Sequence, residues 1–255
     1  MKLALYQGPP VGGDAEAGLA RLRAMTQAAA LAGARMIVFP ELFLPGYNRP
    51  DLHGALAQPL GGDWCTRVAE IAREAGCGVT LGWAERDGEV VYNAATCFDA
   101  YGTVCGHYRK VQLFGPMEKA SFAPGSDYCV FDFEGVKAAL MICYDVEFAG
   151  HVKALAGQGA QLILVPTANP AGFGHVSTAF VPARAAEMGV TIAYANFCGE
   201  EEGLRYGGLS LICGPDARAL AAAGTSEALL IADISQPVDP SLRPTQLDDY
   251  REIPR

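Results

Sequence analysis

A chain of 255 residues, 51% hydrophobic and 18% charged, has the profile of a soluble globular protein with one sizeable core. Its formal net charge of −9 argues against nucleic acid and anionic membranes as partners, because both require clustered lysine and arginine, and permits a cationic substrate. No run has the apolar length of a signal peptide or a membrane helix, so we expect a cytoplasmic protein.

Helices and strands alternate in the predicted order of elements. The segment 14–33 is rich in Ala and Leu, begins at an acidic N-cap and ends at Gly, which predicts a helix. The apolar run 34–41 predicts a strand buried on both faces. The remaining predictions, in chain order, are a helix over 63–76, antiparallel strands over 77–110, a strand over 135–143, a helix over 148–160, a strand over 161–169, a helix over 175–189, a strand over 190–197, and a strand, turn and strand over 208–234.

This order predicts an α/β protein whose sheets carry helices on their outer faces. No linker or repeat divides the chain, so we expect a single domain over 1–255. Its last part, 235–255, is rich in proline and lacks periodicity, which indicates an extended C-terminal tail on the surface or on a partner subunit.

Three reactive side chains stand at the ends of predicted strands: Glu41, Lys110 and Cys143. Because ligands of α/β proteins gather at the carboxyl ends of strands, these groups can converge although they are distant in sequence. Taken singly, each also has an ordinary explanation as a turn residue, a solvated lysine or a core cysteine.

Other partners for Cys143 must be weighed against a glutamate. A Cys-His dyad stays possible, although none of the four histidines has a signature that places it beside Cys143; they are His53, His107, His151 and His175. Serine catalysis is disfavoured because no G-x-S-x-G pattern occurs. The eight cysteines form no CxxC pair, which argues against disulfides and zinc.

A carboxylate is a weak base for a thiol, because pKa values of about 4.3 and about 8.5 leave proton transfer roughly 5.7 kcal/mol uphill. Burial of Glu41 beside a second carboxylate would raise its pKa, and the Lys110 ammonium would stabilise a thiolate and then an oxyanion. Glu118, eight residues beyond Lys110, is the candidate second carboxylate.

The segments around these residues resemble those of the nitrilase (carbon-nitrogen hydrolase) superfamily. Their sequences are "FPELFLPGYN", "YRKVQLFG" and "LMICYDVEF". Further segments that resemble the superfamily are "SFAPGSD", "LILVPTAN", "ARAAE", "YANFCG" and "GPDA". Within the superfamily, the sequence is most similar to short aliphatic amidases such as 5-aminopentanamidase and amino-acid-amide hydrolases. The chain departs from the pattern at Ala149-Gly150 and Met188, which removes no triad residue but puts the following helix start and the subunit contact in question.

The resemblance implies a four-layer αββα sandwich, a Glu41-Lys110-Cys143 triad without metal or organic cofactor, and a homodimer or higher homo-oligomer. It also implies that Glu118 organises the site and that Lys110 and the backbone N–H of Tyr144 form the oxyanion hole. The expected substrate contacts, listed together, are Tyr47, Asn169 and Glu147.

These features predict an amidase that hydrolyses a small aliphatic primary amide, with an amino substituent favoured by the acidic charge, through a cysteine thioester. The same triad could instead serve a nitrilase or an N-carbamoyl amidohydrolase. Outside catalysis, a silent binding module or a redox-sensing thiol protein remain alternatives, although no second cysteine is adjacent to Cys143 in sequence.

Overall fold

Two six-stranded sheets of mixed strand direction occupy the centre of the protein, in a computed structural model that describes residues 1–235, 244–251 and 253. The strands, in chain order, are β1 (Lys2–Gln7), β2 (Met36–Val38), β3 (Gly78–Asp87), β4 (Val90–Phe98), β5 (Val104–Arg109), β6 (Cys129–Phe133), β7 (Val136–Leu140), β8 (Leu162–Pro166), β9 (Thr191–Ala195), β10 (Glu200–Glu201), β11 (Leu204–Arg205), β12 (Leu211–Cys213), β13 (Ala219–Ala222) and β14 (Ala228–Asp233). The helices are α1 (Ala15–Leu31), α2 (Pro50–Leu56), α3 (Asp63–Ala75), α4 (Gly115–Ser121), α5 (Ala149–Gly157), α6 (Val181–Met188) and α7 (Gln246–Asp249).

The first sheet has the order β14-β1-β2-β3-β4-β5, with β1, β2 and β3 parallel and the remaining neighbours antiparallel. The second has the order β13-β12-β9-β8-β7-β6, with β7, β8 and β9 parallel. Strands β10 and β11 form a separate small hairpin.

Three apolar clusters hold four layers together. Helices α1 and α3 pack on the outer face of the first sheet, and α5 and α6 on the outer face of the second. Between the sheets, Leu5 and Val38 of one sheet belong to the same buried cluster as Leu140 and Leu164 of the other. The predicted four-layer αββα sandwich is therefore confirmed.

Local sequence explains where the outer helices begin and end. The Asp14 side chain accepts a hydrogen bond from the N–H of Ala17 at 3.0 Å and caps α1, and Gly76 ends α3 in the left-handed conformation with φ 64°. Both helices match their predicted spans within a few residues.

Several predicted elements differ in detail. The strand expected over 135–143 stops at Leu140, because Cys143 turns out of the strand into a 3₁₀ turn (Cys143–Glu147). The helix expected over 175–189 opens with a π-helical turn (Val176–Phe180), and the segment 208–234 holds three strands rather than two. Strands β1, β6, β10 and β11 and helices α2, α4 and α7 were not predicted.

Part of the predicted extended tail over 235–255 lies outside the described residues, namely 236–243, 252, 254 and 255. Within its described part, α7 is a single helical turn, followed by Tyr250, whose ring lies 3.9 Å from the Lys153 ammonium of α5. Among the described helices, none combines the length and the apolar character needed to cross a bilayer.

Candidate active site

Glu41, Lys110 and Cys143 lie just beyond the ends of β2, β5 and β7. All three side chains are buried, with exposed fractions of 0%, 1% and 8%. The Lys110 ammonium donates to Glu41 Oε1 at 2.6 Å and to Glu118 Oε1 at 2.8 Å, so one cation joins two buried carboxylates. The structure thus brings together the side chains that the sequence placed at separate strand ends.

Besides Lys110, Glu41 is held by the side chain of Asn93 and by a close approach of backbones. Asn93 of β4 donates from Nδ2 to Glu41 Oε1 at 2.7 Å, whereas Glu41 Oε2 is buried without a hydrogen-bond partner among the described residues. The main chain of Glu41 lies against Gly82 of β3, where a Cβ atom would come within 2.6 Å of the Glu41 Cα. Leu42 then adopts a left-handed φ of 46°. The free oxygen, Oε2, can receive a proton.

Glu118 comes from α4 and is fixed by three donors. Besides Lys110, the Tyr47 hydroxyl donates to Oε1 at 2.7 Å and the N–H of Phe114 donates to Oε2 at 2.9 Å. Tyr47, predicted to contact substrate, therefore uses its hydroxyl to orient Glu118. Glu118 is thus a second buried carboxylate that holds the lysine in place.

Cys143 occupies a sharp turn with a left-handed φ of 44°, a conformation that costs free energy for a non-glycine residue. Buried Asp145 stabilises this turn, since its carboxylate accepts from the N–H groups of Ile142 at 3.1 Å and Gln112 at 2.7 Å and from the Tyr108 hydroxyl at 2.9 Å. The N–H of Tyr144 makes no hydrogen bond within the described part of the chain and is available as a donor beside the sulfur.

Burial and neighbouring charges set the protonation states. Burial raises the pKa of Glu41 to about 7, a rise that Lys110 opposes and Glu118 assists. The pKa of the Cys143 thiol is raised well above its usual value by burial and by Glu41, against the lowering influence of Lys110. Burial lowers the pKa of Lys110, but the two carboxylates outweigh it and keep the amine charged. The resting site therefore holds a neutral thiol, not a free thiolate.

Two predicted substrate contacts remain: Asn169 lies in the loop that follows β8, and Glu147 ends the 3₁₀ turn that follows β7. The Asn169 amide donates to the carbonyl of Phe173 at 3.0 Å and so shapes its own loop. The Glu147 carboxylate forms no hydrogen bond or ion pair with any described residue, while Lys110 and His175 lie close enough to lower its pKa against the raising effect of burial.

Four aromatic rings from three loops contact one another in a chain, and one of them belongs to Tyr144, the residue after the nucleophile. Phe114 packs against Tyr144 at 5.2 Å and Phe173 at 5.7 Å between centroids, and Tyr144 packs against Phe148 at 4.9 Å. Phe148 and Phe173 are 36% and 37% exposed. This aromatic rim, defined by these four residues, offers apolar walls next to the Tyr144 N–H.

Sequence reasoning missed Asn93 and Glu201. Glu201, on β10, is a buried carboxylate that accepts from the N–H of Asn48 at 2.6 Å and from the Tyr206 hydroxyl at 2.9 Å. The Asn48 side chain in turn donates to the carbonyl of Glu201 at 3.1 Å. This hairpin fastens the loop that carries Tyr47. The charged segment "CGEEEGLR" resembles a solvated loop and gave no signal that one of its glutamates is buried.

Chemically, the arrangement offers a nucleophile, an acid-base carboxyl group and a fixed cation. No group of three or more His, Cys, Asp or Glu side chains suited to a metal ion occurs in the part of the chain that the structure describes. The site residues as they stand suit addition to a carbonyl carbon, with the charge of the resulting oxyanion met by Lys110.

The chain matches known hydrolases over most of its length. A family model described as carbon-nitrogen hydrolase matches residues 2–240. A hydrolase from Pseudomonas protegens is 41% identical over 240 residues, which cover 92% of this chain and 83% of the relative. A nitrilase from Pyrococcus abyssi is 34% identical over 240 residues, covering 92% of this chain and 89% of the nitrilase.

Solved structures of an amidase from Nesterenkonia sp. AN1 share the fold. One, in which acrylamide has undergone Michael addition at the active-site cysteine, has a TM-score of 0.90 and 37% identity, covering 98% of this chain and 96% of that one. Another, a cysteine-to-alanine variant in complex with butyramide, has a TM-score of 0.89 and 36% identity, with 98% and 94% covered.

Proposed function

Because this chain belongs to the carbon-nitrogen hydrolase family, within the nitrilase superfamily, and is a hydrolase acting on amides, we propose that it converts a small aliphatic primary amide into a carboxylate and ammonia through a thioester on Cys143. The observation that carries this proposal is the Lys110 ammonium held between Glu41 and Glu118 beside a buried thiol. No metal or organic cofactor takes part in the proposed steps.

In the first half-reaction, Cys143 Sγ attacks the amide carbon while its proton passes to Glu41. The unpartnered Oε2 of Glu41 is suited to take this proton, and a pKa of about 7 makes Glu41 a stronger base than a solvated glutamate. Because the resting thiol is neutral, proton transfer and attack proceed together once substrate is bound. Lys110 and the N–H of Tyr144 stabilise the negative charge of the oxyanion.

Collapse of the tetrahedral intermediate breaks the carbon-nitrogen bond, and Glu41 returns its proton to the departing ammonia. A water molecule then attacks the thioester, with Glu41 again as base, and the carboxylate leaves as Cys143 regains its proton. Glu118 and Tyr47 keep Lys110 in place through both halves.

We further propose that the amide bears an ammonium group and that Glu147 pairs with it. Of the three acids near the site, Glu118 is hydrogen-bonded to Lys110 and Tyr47, and Asp145 accepts the hydrogen bonds that hold the turn of Cys143. Glu147 is the acid whose carboxylate has no partner among the described residues. The aromatic rim adjoins it and suits the methylene chain of such a substrate.

The test is release of ammonia from three amides of equal chain length that end in an ammonium, a methyl or a carboxylate group. We expect the ammonium amide to have the highest kcat/KM, and Glu147→Gln to lower that value about tenfold while leaving the methyl amide unchanged. Preference for the carboxylate amide would overturn the proposed substrate charge, and no ammonia from any amide would overturn the amidase proposal.

The similarity to a nitrilase supports a second candidate, hydrolysis of nitriles by the same triad. The matching nitriles, assayed alongside the amides, decide between the two. N-carbamoyl compounds belong in the same assay, because their hydrolysis would also release carbon dioxide.

We also propose that the enzyme is a homodimer, or a higher homo-oligomer, through the face that bears α5. Phe148, at the start of α5, and Tyr250, which contacts Lys153 of the same helix, are exposed aromatic side chains on this face. Light scattering at micromolar concentration should give at least twice the mass of the chain, and a monomeric mass would contradict the proposal.

A further inference from the structure

Two cysteines that are remote from Cys143 lie in contact across neighbouring strands. Cys97 of β4 and Cys105 of β5 have their sulfur atoms 3.2 Å apart, and the Cys105 thiol is also 3.4 Å from the carbonyl oxygen of Cys97. Both are free thiols. Sulfur atoms this close need only a small movement to reach bonding distance.

An irregularity in the pairing of the two strands produces this contact. Cys97 pairs with Gly106 and Phe98 pairs with Val104, so Cys105 is the additional residue of a bulge. A bulge places two residues opposite one and redirects a side chain, which brings Cys105 beside Cys97.

The two thiols differ in access and in acidity. Cys97 is fully buried, whereas Cys105 is partly exposed on the edge strand of the first sheet. The hydrogen bond between the two sulfur atoms lowers the pKa of Cys105, while burial raises the pKa of Cys97. A hydroperoxide therefore meets the more acidic and more accessible thiol first, with the second thiol already in contact.

We propose that Cys97 and Cys105 form an oxidation site for hydroperoxides, separate from Cys143, at which Cys105 reacts first and Cys97 closes a disulfide. The Cys105 thiolate attacks the peroxide, a sulfur-oxygen bond forms, the oxygen-oxygen bond breaks, and the alcohol or water leaves with a proton. Cys97 then attacks the sulfenic sulfur and loses its own proton, and the hydroxyl group departs as water. Two thiols and one hydroperoxide give one disulfide, one water and one alcohol, or a second water when the oxidant is hydrogen peroxide.

Cys129 is the competing partner, because its charge raises the pKa of Cys97 and the charge of Cys105 raises the pKa of Cys129, so the three thiols lie near one another. It belongs to β6 of the other sheet, where it pairs with Leu140, and its sulfur is in contact with neither thiol among the described hydrogen bonds. The sulfur atoms of Cys97 and Cys105 are already in contact, so this pair needs the smaller movement to form a bond.

The sequence makes the test direct. Residues 87–109 contain both cysteines and no internal lysine or arginine, so trypsin releases them in one peptide, whereas Cys129 falls in 120–137. The full-length protein is treated with hydrogen peroxide, its remaining free thiols are alkylated, and it is digested with trypsin. Mass spectrometry then gives the mass of each peptide. We expect peptide 87–109 to lose two hydrogen atoms and to escape alkylation at both cysteines.

Variants assign the order of the two steps. In Cys105→Ala, we expect the loss of free thiol at Cys97 to slow at least tenfold. In Cys97→Ser, Cys105 should stop at the sulfenic acid, which dimedone traps. Cys213→Ala, in a buried strand elsewhere, is the matched control and should behave as the natural protein.

A cross-link between peptides 87–109 and 120–137, or full alkylation of 87–109 while Cys143 is oxidised, would overturn the proposal. The peptide-mass measurement uses the natural protein, so it tests the proposal even if the Cys97 variant folds poorly. The measurement does not depend on amide turnover, so its failure and the failure of the proposed function can be distinguished.

Discussion

Replacing Lys110 by Met tests the centre of the proposed mechanism, because it keeps most of the side-chain volume and removes the cation shared by Glu41 and Glu118. Loss of one oxyanion donor typically lowers kcat by about 10² to 10³. A loss of that size should appear in kcat, with little change in KM, because the charge that Lys110 meets develops only in the transition state.

The same substitution should move the pH profile. Lys110 is the strongest influence that lowers the pKa of Glu41, so without it that pKa rises above its natural value of about 7. Glu41 must be ionised to act as base, and the acid limb of kcat/KM therefore shifts to higher pH. Because folding then favours the protonated carboxyl, the free energy of unfolding should also fall as pH rises through the new pKa.

Breaking a buried ion pair commonly lowers the free energy of unfolding by about 3–5 kcal/mol. Protonation of the carboxyl group left without Lys110 should reduce this loss. Thermal unfolding at several pH values, together with kcat and KM from ammonia release, measures all of these effects. Lys119→Met, at the exposed neighbour of Glu118, is the matched control. A change confined to KM, or an acid limb that does not move, would refute the assigned role of Lys110.

Four further predictions follow from the same geometry. Cys143→Ala should abolish ammonia release with the fold intact, and Cys143→Ser should be nearly inactive because a hydroxyl is far less acidic than a thiol and Glu41 could not deprotonate it. Normal turnover by either variant would show that Cys143 is not the nucleophile. In the natural enzyme, kcat/KM should decline as pH falls below about 7, where Glu41 becomes protonated, and a flat profile from pH 8 to 6 would exclude it as the base. Tyr47→Phe should lower kcat about tenfold by releasing Glu118, whereas a rise in KM alone would indicate substrate binding. Glu201→Gln should lower kcat less than Tyr47→Phe does, and the double variant should have the same kcat as Tyr47→Phe alone, since both residues act through one loop. Additive losses would show that the two residues have independent roles.

The strand ends could be predicted from the sequence because strands buried on both faces read as short apolar runs, and a charged residue after such a run marks where the strand ends. Glu41 was predicted in this way, whereas Lys110 follows the partly exposed strand β5 and Cys143 lies three residues beyond β7. The resemblance of their segments to the nitrilase superfamily, now confirmed, linked the three residues and supplied the four-layer fold. The turn at Cys143 could not be predicted, because it depends on the contact of Asp145 with a distant strand through Tyr108.

Other features depend on tertiary contacts that leave little trace in sequence. Asn93 lies in the interior of β4, where an amide has no pattern that points to a carboxylate 52 positions away. Cys97 and Cys105 meet only because a bulge shifts the register of two strands, and no spacing rule places them together. Tyr47 was predicted from its motif, but the direction of its hydroxyl toward Glu118 required the position of α4.

The contact between Gly82 and Glu41 affects how mutational scans of this enzyme should be interpreted. Alanine is the smallest replacement for glycine, yet even its methyl group would enter space held by main-chain atoms of Pro40, Glu41 and Leu42, which cannot swing aside as a side chain can. A scan would therefore score position 82 among the most damaging sites for turnover, although no atom of that residue takes part in the reaction. The proton chemistry of this enzyme depends in part on a place where the chain carries no side chain at all.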